Sequence, residues 1–350
     1  MKPREVQFPA CFLLGVTGFG WTKQGEALIG SVSDDPYDVR TYMRVIADPN
    51  GFDHLGTELV STTEHTLTAR GYFAKPGETT RGLNAAGLGF TCAMILENPA
   101  ISLPKRLPEY SAITAQMMRT CESVDAAIAL FKSFGAATPA YTVLLADARG
   151  DLAHVEVGSF GAEVVHHRSM KESGVVLSVN CYQSASLSKY NSPESALSNL
   201  SNNNAARLNR GRELSEQFRG RFDIQTFSQI LSDHANRDRD PLENPILEAW
   251  GYSICNHGTR RRSDYPPEKL PWGTVSAEII EPLHGRFWYA FGWPCGSQPE
   301  FGDQILQDKT WGKFIPFQIA GNGKDEDAIT MLTTADGNIT PNGARHVAEP

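Results

Sequence analysis

The sequence predicts an α+β fold in which β-sheets occupy the centre and helices cover them. Strand-like segments open the chain, amphipathic helical patterns fill its middle, and strand-like segments return near the C-terminus. This order favours layered packing of helices on sheets. No internal repeat or long linker divides the 350 residues. We therefore expect one domain over residues 11–320, a leader over residues 1–10 and a loosely ordered tail over residues 321–350.

The first elements are predicted to be strands. Phe12–Thr17 and Glu26–Val32 flank Lys23-Gln24-Gly25, which indicates a hairpin. Thr41–Ile46 alternates between apolar and polar residues, as a half-buried strand does. Leu88–Leu96 is mostly apolar, which is typical of a buried strand.

The rest of the chain alternates between helical and strand-like patterns. Apolar residues at three- and four-residue steps predict helices, one of them capped by Ser123. The predicted helices are Ser111–Arg119, Val124–Phe134, Asn204–Phe218 and Ile224–Asp233. The predicted later strands are Tyr141–Ala146, Leu152–Val157, Gly174–Val179, Thr274–Glu281 and Arg286–Phe291.

Composition limits the function and the partners. A formal net charge of -8 argues against a nucleic-acid partner, and the basic run 260–262 is flanked by acidic residues. No apolar stretch is long enough to span a membrane, and the leader lacks the pattern of a signal peptide. The six cysteines form no C-x-x-C pair and no zinc-ligand spacing, so we expect reduced thiols in a cytoplasmic protein without a metal. No phosphate-binding loop is present, and we expect no cofactor.

Cys11 is the most informative residue in the sequence. If the Ala10–Cys11 peptide bond is cut, the new α-amine lies within reach of the Cys11 sulfur. Such an amine has a pKa of about 8 and can accept the thiol proton near neutral pH. The alternative is a buried structural thiol, which is what most free cysteines are.

Other polar residues lie where catalytic groups would be useful. Asn84 and Asn180 lie at strand boundaries and carry amide donors suited to an oxyanion, although asparagine also favours turns. Asp34 could hold the new α-amine, or it could cap a turn before Pro36. Arg207 on its predicted helix either faces inward to organise a site or lies in solvent.

Together these residues resemble a known family. Cys11, the segment 30–34, the segment 82–88, Asn180 and Arg207 occur in the order seen in cysteine N-terminal nucleophile (Ntn) hydrolases. The closest resemblance is to the acyl-coenzyme A:6-aminopenicillanic acid acyltransferase group, then to C69 dipeptidases and secernins, with bile-salt hydrolases and penicillin V acylases more distant. Four C-terminal motifs extend the resemblance to about residue 300: Leu231-Ser-Asp-His234, Ser253-Ile-Cys-Asn-His257, Thr274-Val-Ser-Ala277 and Trp288-Tyr-Ala-Phe-Gly-Trp-Pro-Cys295.

The resemblance implies a four-layer αββα sandwich of two antiparallel sheets flanked by helices. It makes Cys11 the nucleophile, Asp34 the acid that contacts its amine, and Arg207 the cation that lowers the thiol pKa. It places Asn84 and Asn180 around the oxyanion and the amine. The sequence departs from the family at Gly30-Ser31-Val32, where many relatives carry a basic residue and an asparagine.

Three functions follow as alternatives. The first is an amidohydrolase or acyltransferase that forms a thioester on Cys11 and takes a small-molecule amide or acyl thioester, either as a monomer or as a homo-oligomer. The second is a C69-type dipeptidase, whose substrate anchor would be Arg40, Arg44 or residues 260–262. The third is a binding or scaffold protein whose site has decayed, as Ser31 suggests. If the leader stays attached, His257 or His234 would have to serve as the base.

Overall fold

The computed structural model describes most of the chain between residues 11 and 341. The residues described are 11–36, 39–46, 48–61, 79–102, 104, 106–198, 203–234, 253–257, 272–297, 311–318, 330–332 and 339–341. The predicted leader and the segment 260–262 lie outside these residues.

Strands make up most of the described elements. They are β1 (Phe12–Thr17), β2 (Leu28–Pro36), β3 (Val39–Ile46), β4 (His54–Ser61), β5 (Arg81–Asn84), β6 (Leu88–Met94), β7 (Tyr141–Asp147), β8 (Leu152–Gly158), β9 (Gly161–Arg168), β10 (Gly174–Val179), β11 (Trp272–Glu281), β12 (Arg286–Phe291), β13 (Ile315–Gln318), β14 (Thr330–Leu332) and β15 (Ile339–Pro341). The α-helices are α1 (Tyr110–Thr120), α2 (Val124–Phe134), α3 (Asn203–Gln217) and α4 (Ile224–Leu231).

Two large antiparallel sheets contain β1–β13, and β14 and β15 form a separate two-stranded sheet. The first has the order β10-β1-β2-β11-β12-β13, so β1 lies inside it between β10 and β2. The second is a meander from β3 to β9, in which each strand pairs with the next along the chain. The predicted hairpin of β1 and β2 is confirmed by their antiparallel pairing.

The hydrophobic core forms three separate layers of side chains. An inner layer between the sheets combines Leu13 and Ile29 of the first sheet with Leu55 and Leu144 of the second. Because side chains alternate along a strand, Phe12 and Leu14 point to the other face of the first sheet.

Helices cover the two outer faces. α3 and α4 pack Leu208 and Phe227 onto the outer face of the first sheet. α1 and α2 pack Met117 and Phe131 onto the outer face of the second sheet. The architecture is therefore the predicted αββα sandwich.

Side-chain hydrogen bonds cap the N-termini of two helices. Ser123 accepts a hydrogen bond from the Ala126 amide and caps α2, as predicted. Asp223 forms a capping box with Thr226 at the start of α4. These caps fix where each helix starts over its sheet.

Some elements differ from the prediction. The sequence pattern does not predict β4 or β9: β4 contains Gly56 and Glu58, and β9 is a half-exposed edge strand rich in charged residues. Both are formed by pairing with neighbouring strands rather than by strong local propensity. β14 and β15 pair antiparallel with each other.

Across the part of the chain that the structure describes, we find no helix that is both long enough and apolar enough to cross a lipid bilayer.

Candidate active site

Cys11 lies directly before β1 and is only 6% exposed. Phe12 pairs with Val179 on β10 and with Val32 on β2. One residue earlier, Cys11 therefore lies between Asn180 and Ser33 at the end of the three neighbouring strands β10, β1 and β2. This position brings it close to the second half of β2, which carries the acidic residues.

Asp34 is fully buried and firmly held. Its carboxylate accepts hydrogen bonds from Thr274 Oγ1 at 2.7 Å and from Asn256 Nδ2 at 3.2 Å. The pairing of β2 with β11 shifts register between Thr274 and Ser276. Burial raises the pKa of Asp34 to about 7, against the opposing effects of Arg207 and of the two hydrogen bonds.

The Arg207 side chain faces inward and does not lie in solvent. It is fully buried on α3, and its Nη2 donates to Asn204 Oδ1 at 2.9 Å. Burial lowers the pKa of Arg207, while Asp34, Cys11 and Cys181 act in the opposite direction. Its Nη1 has no hydrogen-bond partner among the described residues, so one N–H donor remains near the thiol and the carboxylate.

A glycine allows α3 to approach the sheet closely. Gly211 lies one helical turn after Arg207, on the same face of the helix. A Cβ atom at this position would lie 2.6 Å from the ring of Phe12. The missing side chain therefore lets Arg207 lie close to the start of β1.

Asn180 also joins this group, in a specific orientation. Its Nδ2 donates to the Met94 carbonyl at 2.9 Å, and its Oδ1 has no partner among the described residues. Because Asn180 follows Val179, which pairs with Phe12, its amide lies beside the backbone of Cys11. The oxygen can therefore accept a hydrogen bond from a donor that appears there.

Asn84 has a different environment. Its Nδ2 donates to the carbonyls of Met118 and Cys121, at 3.0 and 2.8 Å. Its Oδ1 accepts from the Leu88 amide at 2.9 Å. These bonds join the turn after β5 to the end of α1 and use both amide hydrogens. The arrangement favours the turn role over the oxyanion role.

The sequence analysis missed Arg81, a second buried cation near Cys11. Arg81 extends from β5 to the position where Ser31 lies, and its Nε donates to Ser31 Oγ at 3.1 Å. The same Nε lies 3.3 Å from a carboxylate oxygen of Glu278. Burial would lower the pKa of Arg81, but the negative charge of Glu278 raises it above its usual value. Sequence spacing could not reveal this pair, since Arg81 and Ser31 are on different sheets.

The Cys11 thiol is protonated in this environment. Burial raises the pKa of Cys11 to about 11; the Arg81 charge opposes this, and the charges of Asp35 and Asp34 add to it. The cation with the largest effect on this thiol is therefore Arg81, whereas the resemblance assigns that role to Arg207. An uncharged thiol needs a base before it can act as a nucleophile.

The alternative bases lie elsewhere in the molecule. His257 Nε2 is 3.1 Å from Cys295 Sγ. A hydrogen bond from Cys255 lowers the pKa of Cys295 well below its usual range; burial opposes this shift, and His234 and His257 add to it. Both histidines therefore belong to a group around Cys295 rather than to the thiol of Cys11.

The proposed dipeptidase anchors gain no support from the geometry. Arg40 and Arg44 lie on β3, but their side chains lie outside what the structure describes, as does the whole of 260–262.

The known proteins that resemble this chain are distant from it in sequence. A search of the curated proteins found no match. Among solved structures, the chain is similar to penicillin V acylase from Agrobacterium tumefaciens, with 12% identity, a TM-score of 0.47, and 90% of this chain and 93% of that chain covered. It is also similar to a mutant of conjugated bile acid hydrolase from Clostridium perfringens, with 12% identity, a TM-score of 0.48, and 92% and 96% covered. A Caenorhabditis elegans ortholog of N-acylethanolamine-hydrolyzing acid amidase shows 10% identity, a TM-score of 0.44, and 78% and 93% covered.

The family comparison is more specific. The family model for acyl-coenzyme A:6-aminopenicillanic acid acyl-transferase matches residues 40–256. The match includes Arg81, Asn180 and Arg207 but begins after Cys11 and Asp34, so the placement of those two rests on the geometry above. Since the match spans more than half of the 350 residues, this chain belongs to the acyl-coenzyme A:6-aminopenicillanic acid acyl-transferase family.

Proposed function

We propose that this chain is a cysteine Ntn-type enzyme that hydrolyses or transfers the acyl group of an amide through a thioester on Cys11. The observation that carries the proposal is the convergence of Cys11, Asp34, Asn180 and Arg207 at one end of strands β10, β1 and β2. Membership of an acyltransferase family supports the reaction class.

Activation is proposed to begin at the Ala10–Cys11 bond. The Cys11 sulfur attacks the Ala10 carbonyl carbon, and the C–N bond breaks as its nitrogen takes up the thiol proton. This leaves Ala10 joined to the sulfur as a thioester and frees the α-amine of Cys11. Water then hydrolyses the thioester, releases residues 1–10 and returns the thiol.

The mature site then carries its own base. The α-amine accepts the Cys11 thiol proton, and the thiolate attacks the substrate carbonyl. Asn180 Oδ1 and the carboxylate of Asp34 are acceptors suited to the resulting ammonium group. The free Nη1 of Arg207 is a donor suited to the developing oxyanion.

The cycle ends with the choice of acceptor. The amine leaves with the proton from the α-ammonium group, and the acyl group remains on the Cys11 sulfur. Water or a second amine then attacks the thioester, which distinguishes a hydrolase from an acyltransferase. The position of Arg81 supports an enzyme over the scaffold alternative, because it supplies from β5 the charge that is missing at Ser31.

Intact mass and N-terminal sequencing of the purified protein test the proposal. We expect a chain that begins at Cys11, and Cys11→Ala should remain at full length. Incubation with an acyl-coenzyme A thioester alone should then add one acyl mass to the peptide that contains Cys11, and addition of 6-aminopenicillanic acid should remove that mass and form the amide if the enzyme is an acyltransferase. A full-length wild-type chain, or turnover by Cys11→Ala, would contradict the mechanism.

A further inference from the structure

A group of nitrogen and sulfur side chains includes both chain neighbours of Asn256, whose amide donates to Asp34. One ligand atom from each of His234, His257 and Cys295 lies within 4.8 Å of the other two. The Cys255 thiol hydrogen-bonds the Cys295 sulfur. We call these four residues the His/Cys cluster. Two imidazoles and two thiols are a ligand set that structural zinc sites use.

The backbone holds the three segments of this cluster together. The Cys255 amide donates to the carbonyl of Asp233, the residue before His234, at 2.9 Å. Ser232 Oγ donates to the carbonyl of Pro294, the residue before Cys295, at 2.9 Å. Both bonds join positions that belong to the cluster or lie within two residues of a member, so the four side chains converge because their backbones are held together.

Packing also fixes the direction of one imidazole. The His257 ring stacks on Trp293, with centroids 4.0 Å apart and planes inclined by 14°. Trp293 is fully buried, and His257 is 3% exposed. The stacked ring directs Nε2 toward Cys295 Sγ, 3.1 Å away. The ring centroid of His234 lies 4.9 Å from that of His257.

The separations among the ligand atoms of His234, His257 and Cys295 fit three corners of a tetrahedral site. Bond lengths of about 2.3 Å for Zn–S and about 2.0–2.1 Å for Zn–N imply distances of roughly 3.3–3.8 Å between neighbouring ligand atoms. The 3.1 Å contact and the 4.8 Å limit lie on either side of that range. Side-chain rotations on a fixed backbone can close the difference, and they must also bring the Cys255 sulfur, which contacts Cys295 but is not part of the 4.8 Å group, to the fourth corner.

We infer that the His/Cys cluster is a structural zinc site, with His234, Cys255, His257 and Cys295 as its four ligands. Zinc binding displaces the proton from each protonated thiol to solvent and forms two Zn–S bonds. All four positions are filled by protein, so the metal has no open position for substrate. The sequence did not indicate this site because its ligands come from three separated segments.

Such a metal would also stabilise the proposed active site. Asn256 lies between Cys255 and His257 and donates to Asp34. The Asn256 backbone is in turn bonded to Thr274, the other donor to Asp34, at 2.7 and 2.9 Å. A metal that held both neighbours of Asn256 would fix the hydrogen bonds that position the Asp34 carboxylate.

Metal analysis of the full-length chain tests the inference. After chelation and reduction, one equivalent of Zn²⁺ should bind, release thiol protons and protect Cys295 from alkylation. Co²⁺ should give the intense visible bands of tetrahedral thiolate coordination. The wild-type cobalt spectrum decides the question even if a ligand variant fails to fold. The same stoichiometry is expected in Cys11→Ala, so failure here is distinct from failure of the proposed mechanism.

Variants identify the ligands. Cys295→Ser and His257→Gln should each weaken Zn²⁺ binding by more than the roughly 10–100-fold that loss of a ligand's hydrogen-bond partner costs. Cys121→Ser and His284→Gln are matched controls outside the cluster and should bind Zn²⁺ like the wild type. Substoichiometric binding by the wild type, a six-coordinate cobalt spectrum, or a native Cys255–Cys295 disulfide would each overturn the inference.

Discussion

Breaking the buried ion pair between Arg81 and Glu278 should lower the free energy of unfolding. Their closest atoms are 3.3 Å apart, and neither side chain is more than 3% exposed. Arg81→Met would leave the buried carboxylate of Glu278 with hydrogen bonds only from Ser31 and Ser276. Removing one partner of such a pair typically costs about 3–5 kcal/mol.

The expected size of the effect can be converted into a melting temperature. An unfolding entropy of about 2.1 cal/mol/K per residue gives about 0.7 kcal/mol/K for 350 residues. Arg81→Met should therefore lower Tm by about 4–7 °C, and Glu278→Met should have a similar effect because it leaves the guanidinium unpaired. The double variant should recover most of the loss, since replacing both partners with apolar residues is often nearly neutral.

Calorimetry of these variants should include a surface control. Arg119 pairs with Asp48, but its side chain is 48% exposed. Breaking that pair should cost at most about 1 kcal/mol. Two results would show that the buried charges of Arg81 and Glu278 do not stabilise each other. One is a Tm shift in Arg81→Met no larger than that in Arg119→Met, and the other is a double variant that simply adds the two single losses.

The alkylation rate of Cys11 separates the effect of Arg81 on stability from its effect on the thiol. The Arg81 charge lowers the pKa of the Cys11 thiol, against the larger effect of burial. Alkylation of Cys11 by iodoacetamide at a fixed pH should therefore be slower in Arg81→Met. It should stay slow in the stabilised double variant with Glu278→Met, because the cation is still missing. Recovery of both Tm and alkylation in the double variant would show that Arg81 acts only through folding.

Further predictions concern four other residues. Cys11→Ala should block removal of residues 1–10 and turnover, while Cys11→Ser should slow processing; intact mass checks both, and rapid processing of the serine variant would count against thiol control. Because the folded-state pKa of Asp34 is about 7 and its ordinary value is 3.8, its contribution to stability falls as pH rises from about 4 to 7. The Tm of Asp34→Asn relative to wild type should therefore increase over that interval, and a flat difference would contradict the assigned pKa. Asn84→Ala should lower stability by about 2–4 kcal/mol through three lost hydrogen bonds, and a loss of turnover in chains that remain folded would restore its catalytic assignment. Gly211→Ala should reduce turnover by displacing α3 from Phe12, which assays of turnover and Tm together can separate from simple unfolding.

Much of the fold was predictable because local patterns and tertiary packing agree there. The bounds of β1, β10, β12 and α2 match the prediction, since each carries an apolar period suited to its place in the core. β9 was not predicted because an edge strand needs few apolar residues and is held in place by pairing with β8. Local propensity is a weak guide wherever pairing across the sheet decides the structure.

Only part of the candidate site was predictable, because the order of residues along the chain does not show how each side chain is packed. Order along the chain was enough to select Cys11, Asp34, Asn180 and Arg207, which the fold brings together. The same reasoning selected Asn84 because it looked only at residue type and strand boundary. Whether an amide is already bonded to two carbonyls is a property of packing, so the sequence could not separate a turn asparagine from an oxyanion donor.

Ser31 stands where many relatives carry a basic residue, but the absence of that residue does not mean that the site lacks a positive charge. A basic side chain on β2 and one on β5 would compete for the same buried space, because Arg81 Nε and Thr91 Oγ1 both donate to Ser31 Oγ. The small hydroxyl on β2 therefore makes room for the cation from β5, and it donates in turn to Glu278. Ser31→Arg would place a second cation against Arg81 and should lower the Tm.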